Sequence, residues 1–364
     1  MQQPVRYSPE IETVRPGEGD TIRQLEEQFR QIQETTAEDY KRGVRAVHAK
    51  AHGLAAGRLF IKGDLPPDLA QGLFAQAGTH DAIIRISTNA GDILDDSVSL
   101  PRGLALKVLG VDGERLPGSE GDTTQDFIMV NGPVFSAPDA AAFLKNLKLL
   151  TKTTDKGDGA KRLLSSVLQG VNVALSAVGI QSPAIQQLGG APQTHPLGET
   201  YWSQTPFRYG DYLAKFQLVP VSPALKALTD VKIDVAGRPD ALREDVSRDM
   251  IEAGGSWELR VQLCTDLDAM PIEDATVQWD ENKSPFRTVA TLVVEPQVSW
   301  QHGASDRLDD RLSFSIWHGL AAHRPLGGIN RARNEPYKLS TEFRGRVNGC
   351  PMHEPTSASE LETA

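Results

Sequence analysis

Apolar and polar residues alternate with a period of two in several short segments of the middle of the chain. In the segment 257–266, for example, Leu259, Val261 and Leu263 would share one face of an extended strand. Clusters of Gly, Pro and Asp separate these segments, as is typical of turns. The pattern predicts eight strands, and their bounds are 57–63, 82–88, 103–110, 126–131, 214–222, 257–266, 276–280 and 287–296.

Three other parts of the chain carry apolar residues at helical spacing. Residues 21–39 predict one helix and residues 327–346 predict another. Residues 139–209 predict a long helical excursion, which includes the apolar segment Leu163–Ile180. Eight antiparallel strands with such excursions favour an α+β fold, an eight-stranded antiparallel β-barrel with surrounding helices. Closure removes exposed strand edges and can enclose one ligand.

The two ends of the chain differ in composition from its middle. Residues 1–20 are rich in Pro and polar residues and predict an N-terminal arm, residues 21–349 a single folded domain, and residues 350–364 a polar C-terminal tail. The first residues lack the apolar core of a secretory signal. No apolar run approaches the roughly 18 residues that span a bilayer. We therefore expect a cytoplasmic protein without a membrane span, and whether it forms a homo-oligomer is left open.

Composition narrows the function further. The 364 residues carry a formal net charge of −10, which argues against a general affinity for nucleic acid or anionic membranes. The two cysteines, Cys264 and Cys350, are too few for a disulfide framework or a four-cysteine metal site. The chain contains no phosphate-binding GxxxxGK[ST] motif, no GxGxxG motif between a strand and a helix, and no GxSxG elbow.

Arg333 and Tyr337 lie four residues apart in the segment NRARNEPY, a spacing that places both side chains on one face of a helix. A neighbouring guanidinium lowers the pKa of a phenol, and a ferric ion would complete its deprotonation to a tyrosinate ligand. A surface arginine beside a half-buried tyrosine is the ordinary alternative. Pro336 counts against a regular helix here, because it removes one backbone hydrogen bond.

The segment RAVHAKAHG contains His48 and His52. A histidine can move protons near neutral pH, and such catalysis contributes roughly 10²–10⁴-fold. The pair could also bind a metal at helical spacing, but no nearby carboxylate or cysteine completes a metal site. Most single histidines are simply packed or solvated, so this motif alone decides nothing.

Three arginines form a further candidate set. Arg85 lies inside the predicted strand 82–88, an unusual place for a charge without a partner. Arg45 begins the histidine motif, and Arg344 follows Tyr337 by seven residues. The two propionates of a buried porphyrin would supply partners for charge-assisted hydrogen bonds. Salt bridges within the protein are the alternative.

Taken in order along the chain, these segments resemble the motifs of haem catalases. The resemblance extends from about residue 40 to residue 348 and indicates a short member, without the C-terminal flavodoxin-like domain of the largest catalases. Five segments carry it: RAVHAKAHGLAAGRLF, similar to R-x-V-H-A-K-G with one residue inserted; IRISTNAGDILDDSVSLPRGLALKVLG, similar to R-F-S-T-x-x-G followed by D-x-x-R-x-P-R-G-F-A-x-K; DFIMVNGPVF, similar to D-x-x-x-N-N-x-P-x-F; PIEDATVQWDENKSPFRTVATLVV, similar to F-D-x-T-K-x-W and x-P-x-x-x-V-G; and RARNEPYKLSTEFR, which preserves R-x-x-x-Y and a further Arg.

This resemblance implies haem b (iron protoporphyrin IX) as the cofactor, with Tyr337 as the iron ligand and His48 as the distal acid–base group. Ser87 would hydrogen-bond the histidine ring, and Arg333 would polarise the phenolate of Tyr337. The other residues that it assigns to the cofactor are Val47 on the distal face, Phe135 and Phe143 against the porphyrin, and Arg45, Arg85 and Arg344 at the propionates.

The distal strand departs from the family. When Pro133 is aligned, the distal asparagine of catalases falls on Val130, and Asn131 comes one residue later. A slip of one residue turns a strand side chain to the opposite face. Either a bulge returns Asn131 to the pocket as a catalytic residue, or the distal amide is absent.

A second placement of the iron ligand is also open. If the Leu-Gly pairs are aligned, His318 in WHGLAAHRPLG falls on the tyrosine of the family. We prefer Tyr337, because it also brings Arg333 and Arg344 to the family's spacing. His318 and His323 are then expected in loops or at the surface.

The function implied is that of a haem-dependent hydroperoxidase, a catalase or a catalase-related peroxidase, acting on hydrogen peroxide or an organic hydroperoxide. A fatty-acid hydroperoxide isomerase of the allene oxide synthase type is an alternative, in which Leu163–Ile180 would border an acyl channel. A haem-binding protein with little turnover is a third possibility, which Val130 favours and which His48 and Ser87 oppose.

Overall fold

The computed structural model describes residues 3–154 and 190–361, with the side chains of residues 149–154 excepted. In these ranges the chain forms one antiparallel sheet. Its nine strands are β1 (Ala51–Ile61), β2 (Gly78–Thr88), β3 (Arg102–Val108), β4 (Gln125–Val130), β5 (Tyr201–Trp202), β6 (Phe207–Tyr209), β7 (Tyr212–Pro220), β8 (Gly255–Leu263) and β9 (Arg287–Val294).

Helices lie outside the sheet and connect its strands. The helix predicted at 21–39 extends over Glu18–Tyr40, and the last predicted helix extends over Gly328–Val347 without interruption at Pro336. The helices of the described ranges are α1 (Glu18–Tyr40), α2 (Ala140–Thr154), α3 (Pro223–Lys226), α4 (Ala241–Ala253), α5 (Ala304–Arg311) and α6 (Gly328–Val347).

The sheet closes into a barrel. Neighbouring strands follow the order β5-β4-β3-β2-β1-β9-β8-β7-β6, and β5 pairs in addition with β7. The ring therefore consists of eight strands, β1–β5 and β7–β9, while the short strand β6 forms a hairpin with β7. This confirms the predicted eight-stranded antiparallel barrel, and closure satisfies the backbone groups that an open edge would expose.

Two local predictions are wrong. Residues 276–280 form turns and irregular backbone instead of a strand, and their large apolar residue, Trp279, packs into a separate cluster with Cys264 and Met270. The predicted excursion 139–209 is helical at α2, but residues 190–209 contain β5, β6 and a short 3₁₀ turn at Pro196–Gly198. The segment Leu163–Ile180 lies outside the described residues.

His323 is also not the surface or loop residue that we expected. It is fully buried in a 3₁₀ turn, and its ring lies 5.6 Å from the ring of Phe74 and 6.0 Å from that of Phe216. Its Nε2 accepts a hydrogen bond from Leu73 N at 3.0 Å. This histidine therefore belongs to the aromatic core.

Both ends of the described chain pack against the barrel. Near the N-terminus, Val5 N donates to Cys264 O at 2.8 Å. Near the C-terminus, Glu354 Oε2 lies 2.8 Å from the buried Nζ of Lys107 on β3. No helix in the described residues is both long and apolar enough to cross a membrane.

One row of paired residues crosses the barrel close to one end. Ala51 pairs with Ser87, Ser87 with Gly103, Gly103 with Val130, and Val130 with Trp202. The residues before β1 and after β4 leave the barrel at this end. The candidate site is built on this row.

Candidate active site

A cavity of about 1130 Å³, its open mouth included, lies between this end of the barrel and helices α1, α2 and α6. It brings together eight of the eleven residues that the sequence proposes for the site: Arg45, Val47, His48, Phe135, Phe143, Arg333, Tyr337 and Arg344. The other three, Arg85, Ser87 and Asn131, do not line it.

Helix α6 presents the phenol and its cation to the cavity. Arg333 Nη2 donates to Tyr337 Oη at 2.8 Å, and the guanidinium carbon lies 5.3 Å from the centre of the tyrosine ring. The spacing of four residues produces this contact, because it is one turn of the helix. The phenol oxygen of Tyr337 therefore faces a cationic donor at the wall of the cavity.

Asn330, which sequence reasoning missed, lies behind this pair. Arg333 Nη1 is 3.4 Å from Asn330 Oδ1, and Thr205 Oγ1 donates to the same oxygen at 2.9 Å. The Asn330 amide nitrogen donates to Pro206 O and Leu326 O, which fixes its orientation. The only signal in the sequence was its position, three residues before Arg333 on the same helix.

His48 lies just before β1 and is held by β2. Its Nδ1 is 3.1 Å from Ser87 Oγ, and its backbone N donates to Asn89 O at 3.3 Å. Its φ of 55° is in the left-handed region, which non-glycine residues adopt rarely and often at functional sites. Burial, followed by the charges of Arg85 and Arg333, lowers the pKa of His48 to about 3. The imidazole is therefore neutral at physiological pH.

His52 does not form a metal pair with His48. It is buried in β1, and its Nε2 lies 2.6 Å from Thr88 Oγ1. No group of three or more His, Cys, Asp or Glu side chains in residues 3–154 and 190–361 could hold a metal ion. His318 lies in a turn outside the cavity, with Nε2 at 3.4 Å from Asp122 and 3.6 Å from Glu354.

The distal strand places Val130 in the cavity lining and leaves Asn131 outside it. Asn131 Oδ1 accepts from Arg102 N at 2.8 Å, so its amide serves the backbone of the neighbouring strand. No bulge interrupts the β3–β4 register between Gly103↔Val130 and Val108↔Gln125. The sequence left open whether a bulge returns Asn131 to the pocket, and in the structure Asn131 stays outside it. Asn89 and Gln204 line the cavity instead.

Aromatic and aliphatic side chains line the rest of the cavity. The rings of Phe135 and Phe143 meet edge to face at 5.2 Å, and Phe29 from α1 lies 6.5 Å from Phe143. Val47 also lines the cavity, next to His48 in the chain. Such a lining favours a large apolar ligand.

Two of the three arginines bind the carboxylate of a residue that the sequence analysis did not single out, Asp309 of α5, and the third binds backbone carbonyls beside it. Arg45 Nη1 lies 2.8 Å and Arg85 Nε 2.6 Å from its carboxylate. Arg344 Nη2 donates to Leu312 O at 3.2 Å. Asp309 carried no signal in the sequence beyond its place in the segment RLDDR, because the residues it pairs with are distant in the chain.

Two solved structures are similar to this fold. A fungal catalase aligns with a TM-score of 0.60 and 18% sequence identity, over 89% of this chain and 64% of its own. Catalase A from Saccharomyces cerevisiae aligns with a TM-score of 0.59 and 17% identity, over 89% of this chain and 66% of its own. The fold is that of the catalases. The chain spans slightly less than two thirds of the length of these two proteins.

No family model and no curated protein matches the sequence. At these identities the structural similarity establishes the fold, and the chemistry has to be argued from the cavity. The fold predicted from the motifs is thereby confirmed.

The residues around the cavity fit a haem. Tyr337 offers an oxygen ligand polarised by Arg333, and the aromatic lining fits a flat apolar ring. Arg45 and Arg344 line the cavity, and Arg344 Nε is buried without a hydrogen-bond partner among the described residues. A buried cation with a donor to spare is suited to a carboxylate of the ligand.

Proposed function

We propose that the cavity binds haem b and that the chain is a haem-dependent hydroperoxidase for hydrogen peroxide or an organic hydroperoxide. The observation that carries the proposal is the presence, on one cavity, of a phenol bound to a cation and a half-buried, uncharged histidine. These are Tyr337 with Arg333, and His48. When bound, haem would supply the redox chemistry that breaks the peroxide O–O bond.

Tyr337 would hold the iron through Oη, and the Arg333 guanidinium would stabilise the phenolate form by a charge-assisted hydrogen bond. Phe143 would lie against the porphyrin, and Arg45 and Arg344 would bind its carboxylates. These roles use side chains that already line the cavity.

His48 would take up the peroxide proton and return it to the leaving oxygen. The tautomer that donates Nδ1–H to Ser87 Oγ leaves Nε2 as the proton acceptor. Since the pKa of His48 is lowered to about 3, this nitrogen remains available as an acceptor throughout the neutral range. A positioned acid–base group of this kind contributes roughly 10²–10⁴-fold.

The test is peroxide consumption and oxygen release per bound haem, measured on the full chain after its visible spectrum is recorded. His48→Ala should retain the haem and lower peroxide consumption by about 100-fold. The exposed His302 supplies a control variant, His302→Ala, which should leave the rate unchanged. If His48→Ala consumed peroxide as fast as the wild-type chain, the proposed role of His48 would be wrong.

Oxygen release from hydrogen peroxide would identify a catalase. Consumption of peroxide only in the presence of an organic donor, without oxygen release, would identify a peroxidase. A chain that binds haem and consumes neither hydrogen peroxide nor an organic hydroperoxide would be a haem-binding protein with little turnover.

A hydroperoxide isomerase is the second candidate, and the lining of the cavity favours it. Val130 lies where catalases carry their distal asparagine, and Ile128 and Phe29 add apolar surface that could accept an acyl chain. The test is product analysis after incubation of the haem-loaded chain with a fatty-acid hydroperoxide. Recovery of the reduced alcohol alone, without a rearranged product, would exclude this reading.

A further inference from the structure

Asp309 lies at the centre of the arginine cluster. Arg85 donates to both of its carboxylate oxygens, from Nε at 2.6 Å and from Nη2 at 3.0 Å, and Arg45 Nη1 lies 2.8 Å from Oδ2. Burial alone would raise the pKa of Asp309, but Arg45 and Arg85 together hold it well below its usual range. Asp309 is therefore an anion at neutral pH, beside three arginines.

The three arginines differ in what they can offer to a ligand. Arg85 is 3% exposed and does not line the cavity. Besides Asp309, it binds the backbone carbonyl of His48, from Nη2 at 2.9 Å. Its contacts therefore join Asp309 to the segment that carries the histidine.

Arg344 has the opposite character. It lines the cavity and makes no side-chain ion pair among the described residues, because its Nη atoms donate to the backbone carbonyls of Asp310 and Leu312. Its Nε is buried and has no hydrogen-bond partner there. Arg45 also lines the cavity, with Nη1 directed at Asp309 and Nη2 at backbone carbonyls.

The net charge of the cluster also favours a ligand with two carboxylates. Three guanidinium groups and the Asp309 carboxylate leave two positive charges, and the adjacent Asp310 has its own partner, Arg42, at 3.4 Å. Two positive charges match the two carboxylates of one porphyrin. Without Asp309 the same site would hold an uncompensated buried cation, which is costly.

We propose that Asp309 determines how this site recognises the carboxylates of its ligand. Asp309 holds Arg85 in contacts within the protein, where Arg85 positions the His48 segment. Arg344 and Arg45 then bind the carboxylates of the ligand. This inference rests on the proposed function, because haem is the dicarboxylate that the cavity would hold. It differs from the expectation drawn from the sequence, in which all three arginines bind propionates.

The experiment compares haemin with its dimethyl ester, which lacks both carboxylate charges. The ratio of the two dissociation constants, ester over acid, is measured by absorbance titration on the full chain and reports carboxylate recognition alone. Arg344→Met should lower this ratio by about tenfold or more, since it removes a charged hydrogen bond. The matched variant Arg85→Met should change it by less than about threefold. An equal fall in both variants would overturn the inference.

Asp309→Asn gives an independent readout. If Asp309 restrains Arg85, neutralising Asp309 frees a cation and should raise the ratio by about threefold or more; an unchanged or smaller ratio would contradict the proposal.

Should Arg85→Met fail to fold, Arg85→Met combined with Asp309→Leu removes both members of the buried ion pair, a change that proteins often tolerate. This double variant should keep at least the wild-type ratio, and a tenfold fall would overturn the inference.

The outcomes also separate this inference from the proposed function. If the wild-type chain binds haemin but Arg85→Met and Arg344→Met lose carboxylate recognition equally, the function stands and the role of Asp309 falls. If the wild-type chain binds neither haemin nor its ester, both fall.

Discussion

The imidazole of His48 lies against the backbone of Gly103, so closely that a Cβ at position 103 would be 2.5 Å from His48 Cε1 and 2.7 Å from Nδ1. Gly103 pairs with Ser87 on β2 and with Val130 on β4. The missing side chain at position 103 thus allows the ring to reach Ser87. Glycine serves here to admit a close neighbour.

Gly103→Ala should therefore displace the histidine ring and break its contact with Ser87. We expect peroxide consumption to fall by about tenfold or more, because a positioned acid–base group contributes roughly 10²–10⁴-fold. Haemin affinity should change by less than about threefold, since Tyr337 is on a different element. The two measurements are a peroxide assay per bound haem and a haemin titration.

Gly78→Ala is the matched control, because Gly78 is also a strand residue and the nearest atom to its Cβ would be 3.8 Å away. It should leave both measurements unchanged. A Gly103→Ala variant with wild-type turnover would show that the position of the ring does not limit the reaction.

The hydroxyl of Ser87 should select the tautomer of His48. Ser87→Ala removes the oxygen 3.1 Å from Nδ1, so the ring loses the bond that keeps Nε2 as the acceptor. We expect turnover to fall by about tenfold while haemin affinity stays the same, and Ser87→Thr, which retains a hydroxyl, should recover most of the rate. Equal rates in the alanine and threonine variants would contradict this role.

Alternation along the chain was sufficient to predict most of the barrel. Leu259, Val261 and Leu263, expected on one face, are all buried. The segment 276–280 had a similar pattern but forms no strand, because Gln262 Nε2 binds Trp279 O and fixes an irregular turn against the barrel. A short apolar run shows that a side chain is buried, and the presence of a partner strand decides whether the backbone extends.

The candidate site also contains residues that the sequence could predict and residues that it could not. Arg333 and Tyr337 were predictable, because their contact depends on one turn of helix. The place of Asp309 was not, since it meets Arg85 across 224 positions of the chain. Charge pairs over such separations arise from the topology of the barrel. The resemblance to catalases supplied the arginines but gave no sign of the carboxylate between them.

Acidification should destabilise the fold through its buried histidines. Burial lowers the pKa of His323 to about 3, below the roughly 6.5 of an unfolded chain. Between these pH values the unfolded chain binds a proton that the folded chain does not, so stability is complete above pH 6.5 and is lost as the pH falls. One such histidine lowers the free energy of unfolding by about 2 kcal/mol between pH 6.5 and pH 5, at roughly 1.4 kcal/mol per pH unit.

His323→Gln tests this contribution, because glutamine can still accept the hydrogen bond from Leu73 N. Urea unfolding at pH 7 and pH 5 should show a smaller loss of stability in the variant than in the wild-type chain. The exposed histidine variant His302→Gln controls for the loss of a histidine as such. The same pH dependence in His323→Gln and the wild-type chain would refute the prediction.

The buried Lys107 should make the C-terminal segment contribute to stability. Its Nζ lies 2.7 Å from Asp126 and 2.8 Å from Glu354. Glu354→Gln leaves the cation with one anionic partner, and we expect the free energy of unfolding to fall by about 1–3 kcal/mol. Urea unfolding at pH 7 measures the loss, with the exposed Glu342→Gln as control; equal stability of the two variants would exclude the role of Glu354.

Tyr337 is proposed to hold the haem iron, and the most direct test is the visible spectrum and haemin affinity of Tyr337→Phe beside the wild-type chain. The variant keeps the ring but loses the oxygen that Arg333 polarises. We predict that its spectrum loses the bands of an anionic oxygen ligand and that its haemin affinity falls by more than about tenfold. Loss of a residue that only supports a metal ligand already lowers metal affinity by roughly tenfold or more, and Tyr337 would be the ligand itself. An unchanged spectrum and affinity in Tyr337→Phe would contradict the account.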